Sequence, residues 1–327
     1  MEDETTRHRD LGWAERIEQA HARIRPLVER TELVHAPEIA PGFAGKLTFK
    51  LEQRQRTGSF KLRGAANRIR LLSPAEAAAG VTTSSMGNHG MGVALAGQEA
   101  GVPVEVFVSP HVSSDPLERM RELGVVLRVV GSSVLDAEIA ARRAAAESGK
   151  VYISPYNDPH VVAGQGTIGL EMLEQLPDVD TVFVAVGGGG LIGGIGAYLK
   201  ERAPDVTVVG CWPENAPALH ECLRRGRIVD VPEWPTLSES TAGGIEEGSI
   251  TLELARRVVD RSVLVTEEEI LDAMRLLRAR RDWWVEGSAG VALAAFLRHQ
   301  QDYEGRTVAV VLCGGNISPD VRGVLTP

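Results

Sequence analysis

Short apolar runs rich in valine recur along this chain, and each is followed by a stretch long enough for a helix. VTTSS (81–85), VEVFVS (104–109), VVLRVV (125–130) and VYIS (151–154) form one block. TVFVAV (181–186), VTVVGC (206–211), VLV (263–265) and VAVVL (308–312) form a second, and LTFKL (47–51) adds a strand ahead of both. Helical spacing is read at 11–30, where Trp13, Ile17, Ala20, Ile24 and Leu27 share a face. Further helices are predicted at 59–72, 90–100, 115–123, 133–148, 165–176, 191–203, 216–225, 267–280 and 287–299. Strands alternating with helices indicate parallel sheets covered on both faces. The predicted fold class is α/β: two lobes, each a mostly parallel sheet flanked by helices, with a ligand between them. The blocks place residues 1–79 and 158–327 in a large domain and 80–157 in a small one.

A chain of 327 residues supports such an arrangement without disulfide or metal staples. Its 43% apolar and 24% charged residues exclude disorder, collagen and a disulfide scaffold. No uninterrupted apolar run reaches the ~18 residues of a spanning helix. The polar start, MEDETTRHRD, is not a secretory signal. A net charge of −9 without a basic stripe argues against nucleic acid and anionic membrane as partners. Cys211, Cys222 and Cys313 fit neither zinc spacing nor a disulfide framework, which points to a reducing, cytoplasmic setting.

Four motifs carry chemistry. In Thr57-Gly58-Ser59-Phe60-Lys61-Leu62-Arg63-Gly64-Ala65, a lysine opens a helix whose N-terminus favours anions. A buried, neutral amine able to form a Schiff base resolves that conflict. An isolated lysine would instead be a surface residue. In Ser84-Ser85-Met86-Gly87-Asn88-His89-Gly90, small residues leave backbone N–H groups free for a carboxylate or phosphate, and Asn88 can donate to a phenolate-type oxygen. The same residues serve equally well as a helix N-cap. Gly187-Gly188-Gly189-Gly190-Leu191 follows a strand and opens a helix, and four glycines let the main chain wrap a phosphate where a plain turn needs one or two. In Leu312-Cys313-Gly314-Gly315-Asn316, the thiol either bonds weakly to a heteroaromatic nitrogen or is an inert buried cysteine. Glu286, ahead of Gly287-Ser288-Ala289-Gly290, reads as complementing a helix dipole. Trp283 and Trp284 read as core or interface aromatics. Gly188, Gly190 and Gly193, with Glu214 beyond, also outline a dinucleotide fingerprint and hence an NAD-dependent oxidoreductase. That alternative leaves the lysine and asparagine motifs unexplained.

In this order the four motifs resemble the serine/threonine dehydratases of the fold-type II pyridoxal-phosphate enzymes, relatives of the tryptophan synthase β subunit. The resemblance spans roughly residues 15–320. Pro213-Glu214-Asn215, Pro235-Thr236-Leu237 and the stretch from Ala242 to Ser249 look most like the hydroxyectoine-utilisation branch. The resemblance implies pyridoxal 5′-phosphate as cofactor, bound mainly by the large domain. Lys61 would carry it and act as the base at Cα, Phe60 would pack on its ring, and Asn88 would bond the ring O3′. Gly187, Gly188, Gly189, Gly190 and Leu191 would hold the phosphate, and Cys313 would face the pyridine nitrogen. Ser85, Gly87, Asn88 and His89 would hold the substrate carboxylate. The implied activity is a lyase that dehydrates and deaminates a β-hydroxy amino acid such as L-threonine or L-serine, giving a 2-oxo acid and ammonia. A hydroxyectoine-pathway or phenylserine-like dehydratase is the alternative within this chemistry. A homodimer in amino-acid catabolism is the implied form.

Departures from the family pattern sharpen these expectations. Met86 stands where racemases carry a second acid–base serine, so racemisation is not expected. Trp212 and Ala218 replace the carboxylates of metal-binding members, so no metal is expected there. Ser240 replaces a glycine near the ring, and the substrate side chain is expected to meet Tyr156, Ser240 and Trp284. The chain stops soon after Asn316, leaving no room for an isoleucine-sensing regulatory domain.

Overall fold

Valine-rich runs become strands, the central ones buried on both faces and the edges partly exposed, and they assemble into two sheets. The computed structural model describes residues 12–85, 87–110 and 114–325; Met86, whose side chain figures in the expectations above, lies outside these. The larger sheet has the order β1 (Leu33–His35), β2 (Lys46–Lys50), β10 (Thr307–Val311), β7 (Thr181–Ala185), β8 (Thr207–Pro213), β9 (Arg261–Val265). All its neighbours are parallel except β1 on β2, where Leu33 lies opposite Lys50. The smaller sheet, β5 (Val126–Val129), β4 (Val104–Val108), β3 (Val81–Ser84), β6 (Val151–Tyr152), is parallel throughout. Each sheet has its own apolar core. The chain therefore forms two α/β lobes.

The helices that concern the site are α2 (Lys61–Ile69), α4 (Asn88–Ala100), α7 (Pro159–Gln175), α8 (Gly190–Arg202) and α12 (Gly287–His299), in a chain order that begins with α1 (Trp13–Ile24). The others are α3 (Pro74–Ala79), α5 (Ser114–Glu122), α6 (Val134–Ser148), α9 (Ala218–Arg225), α10 (Ile250–Val258), α11 (Glu267–Arg281) and α13 (Pro319–Leu325). Two boundaries differ from the pattern reading for local reasons. Ser73-Pro74 ends one helix but also opens α3, because Ser73 and Glu76 form a capping box and Pro74 fits the first turn. Likewise α7 begins at Pro159 rather than 165, since the Asp158 carboxylate accepts from the N–H groups of His160 and Val161. The periodicity does not anticipate strand β1 or helices α3, α10 and α13; each is short, and β1 is an antiparallel edge of three residues.

Helix α2 sits between the lobes. Leu62, Ala65, Ala66 and Ile69 enter the core around the smaller sheet, and burying Leu62 and Ile69 contributes about 1.5–3 kcal/mol each. The opposite side carries Arg63, which is fully buried and bonds Glu52 at 2.8 Å and Glu171 of α7 at 2.7 Å. Lys50 reaches the same Glu171 at 2.6 Å. Helices α2 and α7 cross closely because of glycines: a Cβ at Gly164 would lie 2.5 Å from the Arg63 carbonyl oxygen and 2.6 Å from the Gly64 Cα. Backbone cannot yield as a side chain can, so Gly164→Ala is expected to cost about 1–3 kcal/mol. A urea midpoint equal to that of the parent would contradict this reading.

Candidate active site

Four helices point uncapped N-termini at one cavity between the lobes. Phe60 precedes α2, Gly87 precedes α4, Gly189 precedes α8 and Glu286 precedes α12, and none of these N-caps accepts a bond through its side chain. By contrast α3, α6, α7, α10 and α11 are capped by Ser73, Ser133, Asp158, Ser249 and Thr266. Uncapped first turns leave N–H donors and a positive dipole end available to an anion. Gly189 takes φ +86°, a conformation that favours glycine and turns the loop into α8.

The cavity is open to solvent, and the space in it not filled by protein atoms, its open mouth included, is about 450 Å³. Its lining includes Phe60, Lys61, Asn88, the run Gly187, Gly188, Gly189, Gly190, Leu191, and Cys313, so parts of all four motifs meet there. Tyr156, Ser240, Thr241, Glu286 and Ser288 also line it. The Tyr156 ring lies against the glycine run: a Cβ at Gly188 would come 2.4 Å from it.

Backbone pairing explains how the first and last motifs converge. Ser59 and Gly314 form an antiparallel bridge, Phe60 N–H donates to the Cys313 carbonyl at 3.0 Å, and Gly315 N–H donates to the Gly58 carbonyl at 2.9 Å. Gly58, at φ +76°, leaves room for the Asn316 carboxamide, which a Cβ would meet at 2.7 Å.

The Lys61 side chain reaches into the cavity, and its amine donates to the Pro155 carbonyl at 3.0 Å. Burial pushes the amine down to about 8 from lysine's usual 10.5, despite the opposing influence of Cys313 and Glu286. Aldehydes add to the neutral amine. The rate of loading the apoprotein with an aldehyde is therefore expected to rise with pH and level off above about pH 8. A rate still climbing toward pH 10, followed as growth of a visible absorption band, would show that the amine is not so perturbed.

Glu286 is buried, and burial raises its carboxyl above the usual range. It accepts from Asn88 Nδ2 at 2.6 Å and from the Ser288 hydroxyl. The Cys313 thiol lies 3.5 Å from Ser288 Oγ, and burial pushes it up, so it stays a neutral thiol. By its sequence context Glu286 complements only the dipole of its own helix. The signal available was an acid two residues before a serine in a small-residue run, which does not reveal what lies across the cleft.

Ser85, Gly87 and His89 are not among the lining residues of the cavity. Ser85 Oγ accepts from Gly87 N–H at 3.3 Å. The His89 ring is buried beside the Ile153 carbonyl, with Nε2 donating at 3.0 Å. Burial and the nearby Lys61 charge pull that imidazole down to about 3, so it is neutral. Trp284 has the guanidiniums of Arg278 and Arg322 over its ring, and Trp283 packs edge-on to Phe49 in the core. Gly193 lies inside α8 against Leu254, and Glu214 pairs with Arg298. The two thus serve packing and a surface ion pair, which removes support for a dinucleotide site. Trp212 is buried edge-on to His220. Among the described residues no group of His, Cys, Asp or Glu is arranged to hold a metal, and no helix is long and apolar enough to cross a membrane.

Comparison with known proteins agrees with this geometry. The family model described as pyridoxal-phosphate dependent enzyme matches residues 24–314. The chain is 42% identical over 303 residues to an L-threonine ammonia-lyase of Thermotoga maritima, covering 93% of this chain and 75% of that one. It superposes on maize serine racemase with a TM-score of 0.90 at 31% identity, covering 95% of each chain. On the processed form of threonine deaminase isoform 2 from Solanum lycopersicum the TM-score is 0.91 at 29% identity, covering 96% of this chain and 87% of that one. The cavity fits the family's cofactor: a near-neutral buried amine suits its aldehyde, the uncapped α8 N-terminus suits its phosphate, and a neutral thiol suits a ring nitrogen.

Proposed function

The chain belongs to the pyridoxal-phosphate dependent enzymes, and we propose that within them it eliminates water from a β-hydroxy amino acid, L-threonine or L-serine in the first instance, and that the enamine released takes water back as it hydrolyses to a 2-oxo acid and ammonia. The observation that carries this reading is the cavity that joins the Lys61 amine, the glycine run opening α8 and the neutral Cys313 thiol. When bound, the cofactor supplies an electron sink for the bond being broken at Cα.

The chain's own residues do the rest. The N–H groups of Gly187 to Leu191, with the α8 dipole, hold the phosphate. Lys61, with an amine perturbed to about 8, is matched to taking a proton from Cα near neutral pH. Asn88 donates to the ring oxygen. Cys313, a weak and neutral partner, leaves the ring nitrogen without a proton. That tempers the electron sink, and it suits a reaction in which the departing β-hydroxyl takes the electron pair away. Ser85, Gly87, Asn88 and His89 are the residues assigned to the substrate carboxylate.

The same relatives include a serine racemase, and one sequence feature favours elimination. Inverting Cα needs a second proton donor, and by the family resemblance Met86, whose thioether carries no proton, occupies the place in the sequence where racemases have a serine. A side chain bulkier than that of threonine, as in the hydroxyectoine-branch or phenylserine-like substrates, is the finer alternative. A cytoplasmic homodimer is the form the dehydratase resemblance supports.

The test is direct. Purified protein loaded with pyridoxal phosphate is incubated with a panel of β-hydroxy amino acids, and 2-oxo acid, ammonia and chirality are measured. Equal release of both products from at least one substrate is expected. D-serine accumulating from L-serine without ammonia would replace elimination by racemisation. Loss of the cofactor band on borohydride treatment is the expected sign of a lysine-bound aldehyde.

A further inference from the structure

Asn88 is held by a hydrogen-bond chain that alternates between elements on either side of the cleft. Asn316, in the loop after β10, accepts from Arg119 Nη1 of α5 at 3.2 Å through Oδ1. Its Nδ2 donates to the Thr57 carbonyl at 2.9 Å and to Asn88 Oδ1 at 2.7 Å. Asn88 Nδ2 in turn donates to Glu286 Oε2 at 2.6 Å, with Ser240 Oγ at 3.4 Å.

The direction of this chain is set at its ends. A guanidinium can only donate and a backbone carbonyl can only accept, so the Asn316 carboxamide has one allowed orientation. Its N–H then requires the oxygen of Asn88 on that side. Glu286 accepts from the Ser288 hydroxyl at Oε1 and faces Asn88 with Oε2, so it takes the N–H of Asn88 on the other. A carboxamide is nearly symmetric in shape and turns over easily without such constraints. Here both flanks specify the same orientation.

We propose that Glu286 and Asn316 are positioning residues that fix the donor polarity of Asn88, so that its side chain always offers N–H, never C=O, to the phenolic oxygen of the cofactor. This rests on the reading that the cavity holds pyridoxal phosphate with Asn88 toward that oxygen. Glu286 need not touch substrate for this. Its role is exerted through Asn88, and Asn316 exerts the same role from the opposite flank.

Glu286→Gln, which keeps the shape but no longer excludes the flipped amide, provides the test, together with Asn88→Ala and the double variant. Cofactor affinity is read by titrating each apoprotein with pyridoxal phosphate, and the position and pH response of the visible band are recorded. Each single variant is expected to lose about tenfold in affinity, the size of one charge-assisted bond. The double variant is expected to be no weaker than Asn88→Ala, with the same displaced band. Losses that multiply in the double variant, or a Glu286→Gln protein with the parent's affinity and band, would overturn the proposal. Should Glu286→Gln fail to fold, Asn316→Asp decides in the same way, because it removes the donor that Asn88 Oδ1 needs and its effect must likewise vanish in the Asn88→Ala background. A parent protein that never develops a band would instead refute the cofactor assignment, and the two failures are distinct.

Discussion

Lys61→Ala is expected to retain the fold and lose turnover by at least about 10³-fold, because one amine both secures the cofactor and serves as base. The side chain ends in a cavity and makes one hydrogen bond, to the Pro155 carbonyl, so little packing is lost with it. Circular dichroism and the urea midpoint should match the parent, while ammonia release and the borohydride-sensitive band disappear. Because the amine alone is missing, added small primary amines are expected to restore part of the turnover. A variant that still released ammonia at the parent's rate would remove Lys61 from the reaction altogether.

The second large effect is on stability. Arg63→Met is expected to destabilise the protein by about 3–5 kcal/mol, read as a lower urea midpoint. The guanidinium is fully buried and bonds both Glu52 and Glu171, and its pKa is raised further by those carboxylates. Removing it leaves Glu52 without its buried cation and Glu171 with Lys50 alone. Arg63→Lys should recover little, since an ammonium cannot reproduce a planar fork that engages two carboxylates at once. Helix α2 carries Lys61 two residues upstream, so a weakened cofactor affinity should accompany the loss. A midpoint within about 0.5 kcal/mol of the parent would mean that the buried cluster contributes no net stability.

The alternation of valine-rich runs with helical stretches was enough to read two α/β lobes, because strand burial on both faces leaves a continuous apolar signature. The glycine run and Lys61 were legible for a related reason. Four consecutive glycines and a cation opening a helix violate local preferences strongly, and both lie at the cavity. Glu286 was not legible, because an acid at a helix start is locally favourable and looks like simple dipole matching. Its actual partner, Asn88, lies 198 residues away. His89 shows the same separation between motif and tertiary contact. A histidine inside a motif invites a chemical role, yet its ring is neutral and bound to Ile153. Trp284, read both as a core or interface aromatic and as part of the substrate pocket, lies against the guanidiniums of Arg278 and Arg322.

What the chain determined by itself is local: the period of each element, the positions where helices begin without a capping side chain, and the chemical types offered at those positions. These depend on residues within a few places of one another. Tertiary structure alone decided which of the offered groups face each other. Pairing of Ser59 with Gly314 brings two distant stretches of the chain together, and the alternating Asn316–Asn88–Glu286 chain spans the cleft. Hydrogen bonds of 2.6–2.7 Å between distant segments depend on the sum of every helix and sheet placement between them, and no periodicity records that sum.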